Sequence, residues 1–241
     1  MPTSCGPELD FTKELEPIDA SYYNSLVGML RWIVELGRID ICLEVSMMSS
    51  HLALPREGHL KEVLHIFAHL KKHHNSELVF DPSDPPIDES LFERKDWTNS
   101  EFGHVSGKEE LPGNAPPPRG KEFLVRAKVD ADHAGDTQTR RSRTGFIVYM
   151  QCAPIYWFRK KQNSVESSTF GSEFCAMKQC CEHLRGLRHK LRMIGIPVEM
   201  PALIFGDNQS VLCNTSLPDS TLKKKTNSIC CHLVREGAAR D

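Results

Sequence analysis

Between about residues 18 and 80, apolar positions recur at steps of three and four, the spacing of one face of an α-helix. Tyr22, Leu26, Met29, Ile33 and Leu36 form the first stripe, with Asp19 or Ser21 available as a cap and Gly37 as the stop. Ile41, Val45 and Met48 form a second, which Asp40 can cap. Pro55 introduces a third, in which Leu60, Val63, Leu64, Phe67 and Leu70 make the stripe and Lys61, Lys71 and Lys72 face out. The pattern predicts a three-helix unit ending at His74-Asn75, preceded by an unstructured lead over 1–17 that Pro2, Gly6 and Pro17 punctuate.

From Asp81 to Gly120 the periodicity disappears into Pro, Gly and acidic residues, including Asp84-Pro85-Pro86 and Ala115-Pro-Pro-Pro118. Proline cannot donate to a ladder and biases its predecessor away from helix, so a linker or an extended wrap is expected over 81–120, with the domain boundary inside it. Beyond about 121 the period shortens. Phe123 to Asp130, Gly145 to Met150 and Ile155 to Phe158 are strand candidates, and Ala202 to Gly206 is a fourth of the buried, parallel type. Between the third and fourth, Phe170, Phe174, Met177, Cys181, Leu184, Leu187 and Leu191 line one face of a long helix. Ser167 or Ser168 can cap that helix, and Gly195-Ile-Pro197 ends it. A short helix from Gln209 to Asn214 and a helical tail from about Thr226 to Ala239 complete an α/β layered domain.

The chemistry gathers at the ends of these elements. The first strand closes abruptly in Asp130-Ala-Asp132-His-Ala-Gly135-Asp136, as a buried strand does when it opens into an acidic, metal-ready pocket. Glu173 lies near the start of the long helix, and Asp207 follows the fourth strand. Asp130, Glu173 and Asp207 are expected to meet. Asp132 and Asp136 suit turn and capping roles, and Glu166, ahead of the helix cap, suits solvent. Trp157 is expected in the core.

A net charge of -2 and a pI near 6.6 give no global attraction for nucleic acid, so any such contact must be local. The runs Arg140-Arg141-Arg143, Arg159-Lys160-Lys161 and Lys223-Lys224-Lys225 flank the expected pocket and are candidate phosphate contacts. Asn208 and Gln209 could cap the short helix or donate to sugar and base edges. His65, His69 and His73 recur every four residues but have no Cys or Glu partner at ligand spacing, which favours an ordinary helical face over zinc. Nine cysteines without a CxxC pair suit free thiols in a reducing compartment; in Cys180-Cys181 and Cys230-Cys231 one thiol of each pair should be buried and one peripheral. With no signal-like start and no apolar run of spanning length, a soluble protein of the cytoplasm or nucleus is expected, with no membrane partner.

The ordered set Asp130-Ala-Asp-His-Ala-Gly-Asp136, Arg140-Arg-Ser-Arg-Thr-Gly145, Trp157, Lys160-Lys-Gln162, Ser172-Glu-Phe174 and Asp207-Asn-Gln-Ser210 resembles the ribonuclease H domain of copia-type LTR retrotransposon Pol polyproteins. Ser25-Leu-Val-Gly28, Leu30-Arg-Trp32, Gly37-Arg-Ile-Asp40 and Ala68-His-Leu-Lys71 are similar to the helical thumb or connection region that follows the polymerase palm. The resemblance implies a ribonuclease H-like fold over about 121–241. It also implies hydrolysis of the RNA strand of RNA/DNA hybrids by a two-metal mechanism, with Mg²⁺, or Mn²⁺ in its place, held by Asp130, Glu173 and Asp207. The partners it implies are an RNA/DNA hybrid and the rest of the Pol polyprotein, with Arg140, Arg141, Arg143, Lys160, Lys161, Asn208 and Gln209 as nucleic-acid contacts.

Two departures from the pattern bear on activity. The family's fifth strand and acid-bearing final helix have no counterpart before Asp241, which would weaken the metal site, so the alternative expectation is an inactive remnant that at most binds nucleic acid or a partner. No Tyr-x-Asp-Asp signature occurs, and polymerase activity is not expected of this stretch.

Overall fold

The structure, a computed structural model, describes residues 10–92, 95–103, 110–220 and 228–240. Its first unit is three helices, α1 (Pro17–Glu35), α2 (Cys42–Met48) and α3 (Glu57–Lys72). Pro17 opens α1 at a position where its missing N–H costs nothing, and Gly37, at φ +122°, ends the turn beyond Leu36. The expected caps are not used. Glu16 precedes α1 without a side-chain cap, and Asp40 sits in a 3₁₀ turn, bound by Arg38 at 2.8 Å and His69 at 3.2 Å.

The face of α1 also differs from expectation. Tyr23, Leu26, Val27, Leu30 and Val34 are buried, whereas Tyr22, Met29 and Leu36 of the expected stripe are largely exposed. The helix is apolar on two sides, so periodicity alone could not choose the inner one. Tyr23 settles the packing by donating its buried hydroxyl to the Met48 carbonyl at 2.7 Å.

The second unit is a four-stranded sheet in the order β3-β2-β1-β4, from β1 (Val125–Asp132), β2 (Arg143–Met150), β3 (Ala153–Lys161) and β4 (Leu203–Phe205). The first three are an antiparallel meander, and β4 joins β1 in parallel after the crossover through α4 (Thr169–Met193). Alternation along β1 puts Val125, Ala127, Val129 and Ala131 against α4 and turns Lys128, Asp130 and Asp132 outward. Phe174, Ala176, Met177, Cys180 and Leu184 supply the helical half of this core. Helices α5 (Gln209–Ser216) and α6 (Ser228–Arg240) follow, with α6 packed on α4.

Trp157 faces away from that core. Its side chain packs into the helical unit, where Nε1 donates to the Val34 carbonyl at 3.0 Å. It is thus a core residue, but of the other unit. The Pro-rich connection is a wrap: Asp84 accepts from Lys121 at 2.6 Å and from Gln151 at 2.5 Å, and Phe92 meets Phe205 of β4 edge-on at 5.4 Å. No helix among the described residues is long and apolar enough to cross a membrane.

Candidate metal centre

Parallel pairing brings the acids together. In the β1–β4 ladder Arg126 faces Leu203 and Lys128 faces Phe205, so the same register continued two residues sets Asp207 level with Asp130. Both strands run the same way, and their carboxyl ends open at one edge of the sheet, where clefts form in α/β folds. The chain enters α4 at this end as well. Ser168 caps α4 by accepting the Gly171 N–H, and Glu173, one turn into the helix, accepts the backbone N–H of Ala131. One carboxylate oxygen from each of Asp130, Glu173 and Asp207 lies within 4.8 Å of the others.

Three carboxylates so close repel one another. Burial of Glu173, together with the charges of Asp130 and Asp207, pushes its carboxyl up to about 7, against the opposing pull of the Ala131 N–H. Asp130 and Asp207 are exposed and Glu173 half-buried, so the cluster faces solvent over a packed floor. Hard oxygen donors of this number and spacing, two of them open to water, fit a divalent cation of the Mg²⁺ or Mn²⁺ kind, which keeps several of its own waters. Among the described residues it is the sole group of three metal-capable side chains so closely placed. His69 of the histidine series instead bonds Asp40, with His73 packed on its ring at 4.5 Å.

The residues that brace Glu173 carry weaker sequence signals. Gln162, buried at the end of β3, donates through Nε2 to the Ser172 carbonyl at 2.9 Å and to Thr144 Oγ1 at 3.1 Å, pinning the first turn of α4 to β2. A ring nitrogen of His133 lies 3.2 Å from Ser172 Oγ. In the sequence Gln162 stands out within the Lys160-Lys-Gln162 motif, but polarity at a strand end does not separate a brace from a surface residue.

The basic candidates divide. Arg140 is exposed, at φ +56°, and Lys160 is exposed on β3, while Arg141 is half-buried. Arg143 is only 1% exposed, which removes it from any surface a phosphate could reach and corrects its expected role. It sits on β2 opposite Asp132, on the sheet face away from the Phe146 and Val148 core, and is covered there. Lys161 is an internal latch, ion-paired with the buried Asp136. Asn208 caps α5 by accepting the Val211 N–H at 3.2 Å, and Gln209 is exposed beside it. Lys223, Lys224 and Lys225 lie outside the described residues. Asp136 takes the capping role expected of it, accepting the N–H groups of Gln138 and Thr139. Glu166 departs from the solvent position expected: it is half-buried, with Oε1 3.6 Å from the Cys175 thiol.

Four mixed strands with α4 across one face, and acids converging at the carboxyl ends of the parallel pair β1 and β4 and the start of α4, define an α/β protein of ribonuclease H-like architecture. No family model matches the chain. It is similar to retrovirus-related Pol polyproteins of two transposons of Arabidopsis thaliana, RE2 (25% identical over 92% of this chain) and RE1 (24% over 97%). That of transposon TNT 1-94 of Nicotiana tabacum is 24% identical over 79% of the chain. These homologues, at 24–25% identity over most of the chain, are Pol polyproteins of copia-type transposons. The chain spans 13% of the length of the RE1 and RE2 polyproteins and 11% of the TNT 1-94 one.

Proposed function

We propose that this chain carries a ribonuclease H-type site, which hydrolyses the RNA strand of an RNA/DNA hybrid with Mg²⁺ or Mn²⁺ held by Asp130, Glu173 and Asp207. The observation that carries the reading is the approach of three carboxylates from three separate elements to within 4.8 Å at the carboxyl ends of two parallel strands. Among the described residues no basic side chain pairs with these three carboxylates, which suits a site completed by a metal ion. When bound, divalent ions supply Lewis acidity at the phosphate and an activated water. The chain's own part is to hold oxygen ligands on braced elements, with Gln162 and Ala131 fixing Glu173.

Arg140 and Lys160 are exposed and suited to phosphate contacts, with Arg141 beside them, and Gln209 stands next to Asp207 at the mouth of the site. The wider assignment of the chain as a working segment of a Pol polyprotein rests on the names of its relatives.

The full chain should cleave a hybrid labelled on its RNA strand in the presence of Mg²⁺ and leave the DNA strand intact. Asp130→Asn, Glu173→Gln and Asp207→Asn should each slow cleavage about a hundredfold or more, the equivalent of several kcal/mol of lost charge stabilisation. Cleavage at the parental rate in these variants would overturn the site. Retention of the hybrid without cleavage by the parent chain would leave a binding module in place of an enzyme.

A further inference from the structure

Helix α1 has a second apolar face, which the described residues leave largely in solvent. Ile18 is 84% exposed, Trp32 and Leu36 are 66% exposed, and Tyr22 and Met29 are about half exposed. With the exposed Ser25 they form a row whose steps alternate between four and three residues, the spacing of a seam between two helices, kept along the whole of α1. The opposite side of the helix, with Tyr23, Val27, Leu30 and Val34, is already filled by the core of the helical unit. The row is therefore not a core face left half-built.

Its size and its symmetry say what covers it. At roughly 200 Å² for a large apolar side chain, these exposures leave on the order of 600 Å² per copy in solvent, the upper end of what a monomer shows in one patch. Two such faces together would hide about 1,200 Å², enough for a small specific interface. Turned end for end about Val27, the row maps onto itself in kind as well as in position. Ile18 meets Leu36, Tyr22 meets Trp32, and Ser25 meets Met29. Gly28, beside that midpoint, is exposed and has open space where a side chain would stand, so two backbones can approach there. Asp19 and Glu35 lie off the row on opposite flanks, about 100° to either side of it, and end-for-end pairing brings neither against the other.

From this self-complementary row we infer that α1 docks on α1 of a second copy of the chain, the two helices antiparallel about a two-fold axis beside Gly28. The contact is isologous, so it closes at a dimer and builds no filament. Tyr22 and Trp32 are its anchors, aromatic against aromatic on both sides of the axis. None of the seam residues belongs to the acid site, so the dimer stands or falls independently of the nuclease reading.

The test is sedimentation equilibrium of the full chain at about 10–100 µM, the range in which so small an interface associates. The expected mass approaches twice the 27.3 kDa of one chain. Trp32→Glu, matched to the parent by circular dichroism, should raise the dissociation constant about a hundredfold or more. Orientation is read by exchanging charges. Ile18→Lys and Leu36→Glu should each weaken the dimer about tenfold, and both in one chain should restore it, because each lysine then meets a glutamate of the other copy. Within one copy the two positions stand about 27 Å apart along the helix and cannot pair. A mass of 27.3 kDa throughout, which would leave the face to a different chain, overturns the inference. So does a dimer indifferent to Trp32→Glu, or a double variant weaker than either single one, the mark of parallel helices.

Discussion

Glu173 titrates where few carboxyls do, and the sign of its effect on stability follows. Burial and the two aspartates raise its folded pKa to about 7, above its ordinary value of 4.5. The folded chain therefore holds a proton that the unfolded chain releases between those values, and without metal its stability falls as pH rises through that window. Glu173→Gln should remove the slope. At pH 8 in a chelator the variant should gain about 1 kcal/mol, or roughly 2–4 °C of thermal midpoint, after allowing for the partial exposure of the group. At pH 5 the two proteins should melt together, and a calorimetric pH series checks both statements.

Asp136 behaves in the opposite sense. Burial would push its carboxyl up, but Lys161 and the Thr139 N–H outweigh it and hold it at about 2. Its contribution is complete above pH 4 and is lost as pH falls through 2. Asp136→Asn should cost about 3 kcal/mol, since it leaves Lys161 facing a neutral amide inside the β1–β2 turn, and denaturant titration would register the loss.

At the scale of elements, the caps and faces show how far the sequence could be read. A serine cap for α4 at 167 or 168, of which the structure uses Ser168, the stop at Gly195 with φ +80°, and the core face through Phe174, Met177 and Leu184 follow from pattern alone. The face of α1 was not legible, since Tyr22 and Tyr23 offer two rival stripes and only the Met48 carbonyl decides between them. The burial of Arg143 was hidden for a related reason: a charge run suggests surface, and nothing local shows that one member is covered on the sheet face away from α4. Trp157 was legible as buried but not as to where, because a β3 side chain can serve either face of the sheet. Trp157→Ala should cost about 3 kcal/mol by opening the contact between the units, measured as a fall in denaturation midpoint. Asn208→Ala, which removes the cap of α5, should cost about 1 kcal/mol and loosen the hold on Asp207 next to it.

For the whole molecule, the acid site was foreseeable from three strand and helix ends, but its closeness was not. Separation along the chain gives no register. The ladder that sets Asp207 level with Asp130 comes from the crossover through α4.

That ladder also sets a timetable. The β1–β2–β3 meander closes through short turns, whereas Arg126 meets Leu203 only after the whole of α4 has found its place, and long loops are slow to close. In refolding, amides of the meander should gain protection from exchange before those of Leu203–Phe205, and Mn²⁺ relaxation enhancement should grow in with the later phase. Appearance of the ion signal alongside the earliest meander protection would count against this order. A newly made chain thus gathers its three acids only when β4 docks, so on the proposed nuclease reading the route of folding would itself hold back the chemistry until that strand is in place.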